Sequence, residues 1–94
     1  MTRPEATIDP EVQRFRDEIT ALDLELVRLV NRRLETVIEL RRYKEEQGIP
    51  FLDPEREESM RRYLVGANRG PLSAEGLTQL YSFLLDLIKR EVGG

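Results

Sequence analysis

The sequence predicts an all-α fold of one long helix and two shorter ones, on three observations. No proline or glycine interrupts the chain between Pro10 and Gly48. Apolar residues recur there at steps of three and four, the period of one helix face. Two Asp-Pro pairs, Asp9-Pro10 and Asp53-Pro54, each place a capping side chain before a proline suited to the first helical position. Nowhere does an apolar-polar alternation compete as a strand.

The first helix is expected from about residue 10 to 47, a length of over 50 Å at about 1.5 Å per residue. Its stripe runs through Phe15, Ile19, Leu22, Leu26 and Leu29, preceded by Val12 and widened by Val30, Leu34 and Ile38. Two short helices of a 94-residue chain cannot cover so long an apolar face, and leaving it in water is costly, so a dimer with paired first helices is expected. Gly48-Ile49-Pro50 ends this helix. Asp53-Pro54 opens a second, with Met60, Tyr63 and Leu64 on one side, fraying near Gly66 to Asn68. Ser73 caps a third, whose inner face is assigned to Leu77, Leu80, Tyr81, Leu84, Leu87 and Ile88. Residues 1–8 are expected to be a mobile tail and residues 9–94 a single helical domain.

Composition narrows the chemistry. The net charge of −3 gives no general attraction for nucleic acid or an anionic membrane, so any anion site is local. Residues 1–8 lack the apolar run of a signal peptide, and no stretch reaches the roughly 20 apolar residues of a membrane span. Cysteine is absent, which suits a reducing cytoplasm, and so is histidine. Without either, a Ser-His or Cys-His mechanism cannot be built, and catalysis would rest on Lys, Arg and carboxylates.

Continuing the first seam beyond Leu29 gives Arg33, Val37, Leu40 and Lys44, so two cations occupy positions the pattern reserves for the core. A buried cation needs a carboxylate, a route to water or an anionic ligand. Periodicity leaves open whether Arg33 and Lys44 snorkel, pair with glutamates of other helices, or face a shared space that would suit a dianion of metabolite size. Arg16 lies one position off the seam, too far along the axis to reach Lys44 of its own chain but within reach of a partner's cluster in an antiparallel dimer. Singly, Asp53 and Glu57 are explained as cap and first-turn acid. The turn after Lys44 nevertheless folds Asp53, Arg56 and Glu57 back toward it. Arg41-Arg42, Glu45-Glu46 and Arg61-Arg62 read as solvated faces.

In Arg16-Asp17-Glu18-Ile19-Thr20-Ala21-Leu22-Asp23, Asn31-Arg32-Arg33, Lys44 and Asp53-Pro54-Glu55-Arg56-Glu57, taken in order and at these separations, the sequence resembles the all-helical (type II) chorismate mutase family over roughly residues 12 to 92. The resemblance implies an intertwined homodimer of three-helix subunits that rearranges chorismate to prephenate, an isomerase of aromatic amino-acid biosynthesis needing no nucleophile, cofactor or metal. By the same carry-over, Arg33 and Lys44 bind the carboxylates of the substrate, and Lys44 also donates to the ether oxygen of the breaking bond. Arg16 is supplied across the interface, and Arg56 is a further cation at the carboxylate end. Asp53 and Glu57 contact the ring hydroxyl and the ether side, with Lys44, Arg33 and Glu57 as the catalytic set.

One position departs from the family. Late in the third helix the family usually carries a Gln or Glu as second donor to the ether oxygen, preceded one turn earlier by a small or polar residue. Ungapped alignment puts Val92 and Ile88 there. Either this contact is absent, or a shift of one residue brings Glu91, which donates only when protonated and would make activity fall with rising pH. Two alternatives stand beside the mutase reading. One is an isochorismate-pyruvate lyase of the same fold. The other is a non-catalytic regulatory or dimerisation module acting with, or fused to, a shikimate-pathway synthase.

Overall fold

The computed structural model describes residues 9–93. Residues 1–8, and with them the expected mobile tail, lie outside the described part. Helix α1 is Pro10–Gln47, α2 is Pro54–Ala67 and α3 is Ala74–Glu91, and among the described residues there is no strand. No described helix is long and apolar enough to cross a membrane. The chain divides into two units, one ending at Arg33 and the other starting at Leu34.

Each boundary has a local cause. Asp9 Oδ1 accepts from the backbone N–H of Glu11 at 2.7 Å and Val12 at 3.4 Å, filling orphan donors at the start of α1. At its other end Gly48 adopts φ 70°, where a side chain would be strained. There Ile49 N–H donates to Lys44 O at 2.8 Å and Gly48 N–H to Glu45 O at 3.3 Å, the paired bonds of a Schellman cap. Asp53 caps α2 through Arg56 N–H at 3.1 Å, and Ser73 caps α3 through Gly76 N–H at 2.9 Å.

In the first unit α1 is an exposed helix. Phe15, Ile19, Leu22, Leu26 and Leu29 are all exposed, Leu22 by 63%. The second unit holds the buried core of the described residues, Tyr81, Leu85 and Ile88, all on α3, where α3 packs against α2. Two assignments for α3 and one for α2 need correcting. Leu80 faces out, and Leu85 takes the core position between Tyr81 and Ile88, because the period from 81 runs 81, 85, 88. On α2 Tyr63 is exposed, and the half-buried stripe is Glu57, Met60, Arg61, Leu64 and Val65.

The seam of α1 within the second unit also differs from expectation. Val37, Arg41 and Lys44 are half-buried, whereas Leu40 is exposed. Arg41 does not lie on a solvated face. Its Nη1 donates to Val92 O at 2.9 Å, and its guanidinium lies 5.3 Å from the Phe51 ring centroid. Arg61 likewise turns inward, donating to Ser82 Oγ at 3.2 Å beside the Tyr81 ring. Their long stems cover apolar surface while the heads find partners.

Candidate active site

The second unit gathers four of the six expected site residues: Lys44, Asp53, Arg56 and Glu57. Lys44 sits in the last turn of α1, and its Nζ donates to the Phe51 carbonyl at 3.2 Å. The Schellman cap makes that bond possible, because it reverses the chain within the few residues after Gln47. An ammonium has three donors, so two remain for a ligand. Two residues past Phe51, Asp53 is already engaged as the cap of α2, and its carbonyl accepts from Glu57 N–H at 3.1 Å. Arg56 is exposed on the first turn and makes no side-chain ion pair among the described residues.

Glu57 is the first member of the inward stripe of α2 and meets Lys89 of α3. Lys89 Nζ lies 3.0 Å from Oε2 and 3.2 Å from Oε1, with side-chain exposures of 37% and 27% for the lysine and the glutamate. Lys89 also lines an open hollow of about 490 Å³ with Arg41, Pro50, Phe51 and Leu52. Lys89 is a residue that sequence reasoning missed. The pattern does carry a signal for it, since it lies four residues after the buried Leu85 and so beside the inner face, but a lysine in a last helical turn is also explained by the helix dipole.

At the end of α3, Ile88 is core. Val92 caps the helix and presents its carbonyl to Arg41. Glu91 is exposed and lines a second hollow, of about 380 Å³, with Ile38, Arg41, Arg42, Glu45 and Val92.

Arg16 and Arg33 belong to the first unit. Arg16 is exposed and has no side-chain ion pair among the described residues, the nearby carboxylates Glu11 and Glu18 being taken by Arg14. Arg33 is half-buried, and its Nη1 is buried with no hydrogen-bond partner. A guanidinium nitrogen removed from water without an acceptor is costly, and an anionic oxygen would relieve it.

The described residues thus offer cations with open donors on a helical scaffold, in a chain without histidine or cysteine, and such groups suit an anionic ligand. Residues 15–91 match the family model for chorismate mutase type II, and the chain belongs to that family. Two solved structures of a chorismate mutase from Thermus thermophilus are similar to it. Form I is 33% identical with a TM-score of 0.80, covering 83% of this chain and 98% of that one. Form II is 31% identical with a TM-score of 0.83, covering 88% and 94%. A 4-amino-4-deoxychorismate mutase from Streptomyces venezuelae is 41% identical over 46 residues, which are 49% of this chain. The matched stretch spans less than half of that curated relative, 45% of its length.

Proposed function

We propose that the protein is a chorismate mutase that converts chorismate to prephenate. The observation that carries this reading is the buried Arg33 Nη1 with no acceptor, on a chain of the chorismate mutase type II family. The reaction is an intramolecular rearrangement in which a C–O bond breaks as a C–C bond forms, so no proton relay or nucleophile is required. Arg33 and Lys44 hold the two carboxylates, the first as a planar fork and the second as a point charge. The donors of Lys44 not used by Phe51 O also reach the ether oxygen, where negative charge grows in the transition state. Holding the dianion compact removes much of the entropy cost. Arg56 adds a cation at the carboxylate end, while Asp53 and Glu57 face the ring hydroxyl and the ether side.

The working unit in this reading is a homodimer. The exposed apolar stripe of α1 supports it, and Arg16, a cation with no side-chain ion pair among the described residues, is the residue this reading assigns to the partner's site. A shikimate-pathway synthase, bound or fused, is a further partner of this reading, and the lack of cysteine supports a cytoplasmic location.

The test is to incubate the purified protein with chorismate, follow loss of its absorbance and identify the product, with isochorismate and 4-amino-4-deoxychorismate run alongside. Prephenate from chorismate is the expected result. Pyruvate release from isochorismate would instead assign the lyase activity, and no consumption of chorismate at any pH would reject the enzyme.

A further inference from the structure

We propose that Lys89 is a specificity-determining positioning residue, which by pairing with Glu57 makes the site accept a neutral hydroxyl on the substrate ring and disfavour an ammonium there. The inference rests on the reading of Asp53 and Glu57 as the polar groups near the ring hydroxyl and the ether side, and it takes Glu57 to be in reach of the ring substituent. A lone glutamate at that place is ambivalent, because a carboxylate accepts a hydrogen bond from a hydroxyl but attracts an ammonium more strongly. The analogue with an amine in place of the hydroxyl carries such a group, protonated at neutral pH.

In this chain both carboxylate oxygens of Glu57 lie within 3.2 Å of Lys89 Nζ. The pair has no net charge, and each oxygen keeps lone pairs that can accept from a hydroxyl. An incoming ammonium would have to displace Lys89 or sit beside it as a like charge. A second cation adds to the effect: Arg41 lines the same hollow as Lys89, held by Val92 O and the Phe51 ring. Glu57 is half-buried, so water screens the pair only in part. Lys89 does not touch the reacting atoms in this scheme and acts by setting the charge that Glu57 presents.

The test compares wild type, Lys89→Met, Lys89→Arg and the double variant Glu57→Gln, Lys89→Met, measuring kcat and KM for chorismate and its 4-amino analogue, and binding of both by calorimetry. Wild type should prefer chorismate. In Lys89→Met the ratio of kcat/KM for the amine to that for the hydroxyl should rise by about tenfold or more, the size expected for one partly screened unit charge at contact distance. The change should be mainly in KM and in calorimetric affinity. Lys89→Arg should restore the wild-type ratio, and the double variant should abolish the rise. A lysine with only a packing role would lower both substrates alike, so an unchanged ratio in Lys89→Met overturns the inference while leaving the mutase reading intact. A wild type that prefers the amine overturns it too. A wild type that neither binds nor converts either compound overturns the mutase reading and this inference with it.

Discussion

Arg33 and Lys44 look alike in the sequence, as cations on an apolar seam, yet their surroundings differ. Lys44 has a backbone acceptor in Phe51 O, whereas Arg33 has a buried nitrogen with none. Removing either side chain should leave the helix intact, since arginine, lysine and alanine are all good helix formers. We expect Arg33→Ala and Lys44→Ala each to lower kcat/KM for chorismate by about two to three orders of magnitude, Arg33 through loss of the fork that holds a carboxylate in the reactive geometry and Lys44 also through loss of the charge at the developing oxyanion. Circular dichroism and kinetics on the same samples check this, and near-normal turnover in either variant would remove that residue from the site. Arg41 has a structural task instead. Its charge-assisted bond to Val92 O lies at the negative end of α3. Arg41→Ala should destabilise the fold by about 1 kcal/mol, below the roughly 1.5–3 kcal/mol of a bond to a charged group because this one is partly exposed. Hydrogen exchange should locate the loss in the last turn of α3.

Among the elements, the caps decide where the site residues fall. Gly48 supplies the left-handed residue that lets the chain turn back and bring Phe51 O to Lys44. A Cβ there meets nothing within 4 Å, so the cost of replacing it is conformational and not steric crowding. Gly48→Ala should therefore cost about 1–2 kcal/mol, the strain of a left-handed non-glycine residue. A denaturant midpoint measures that cost, and an unchanged midpoint would mean that the turn tolerates another conformation. The inward stripes carry the same logic. Glu57 lies on the half-buried side of α2 with Met60 and Leu64, and Lys89 lies one residue from the buried Ile88. A pair of polar residues on facing inner edges is thus part of how α2 and α3 meet.

For the molecule as a whole, the buried core is small and the exposed apolar surface large. Tyr81, Leu85 and Ile88 are the buried hydrophobic residues among those described, while the α1 stripe from Phe15 to Leu29 stays in water. Each Leu, Ile or Phe covered by a partner would contribute about 1.5–3 kcal/mol, so the stripe is strong reason for a second copy. Sedimentation should give a dimer, and Leu22→Glu, which puts a charge at 63% exposed Leu22, should shift it toward monomer and lower activity with it. If Arg16 serves the partner's site, then mixing inactive Arg16→Ala with inactive Lys44→Ala under conditions of subunit exchange should restore activity, because the mixed dimer keeps one complete site. No recovery in demonstrably mixed dimers would assign Arg16 to its own subunit or to the surface.

The helices, their caps and the cations on the α1 seam are all legible in the sequence alone. These depend on residues within a few positions of one another: Asp9 with Glu11, Ser73 with Gly76, Gly48 with Glu45. The family is readable too, because its motif residues keep their order and spacing. That Lys89 meets Glu57 across 32 residues, and Arg41 meets Val92 across 51, emerges only from the packed chain. Local periodicity marks which side of a helix turns inward, but a lysine or arginine at the edge of that side has a long flexible stem. Which acceptor its head finds depends on which helix packs opposite, and at what height, and no local pattern encodes that.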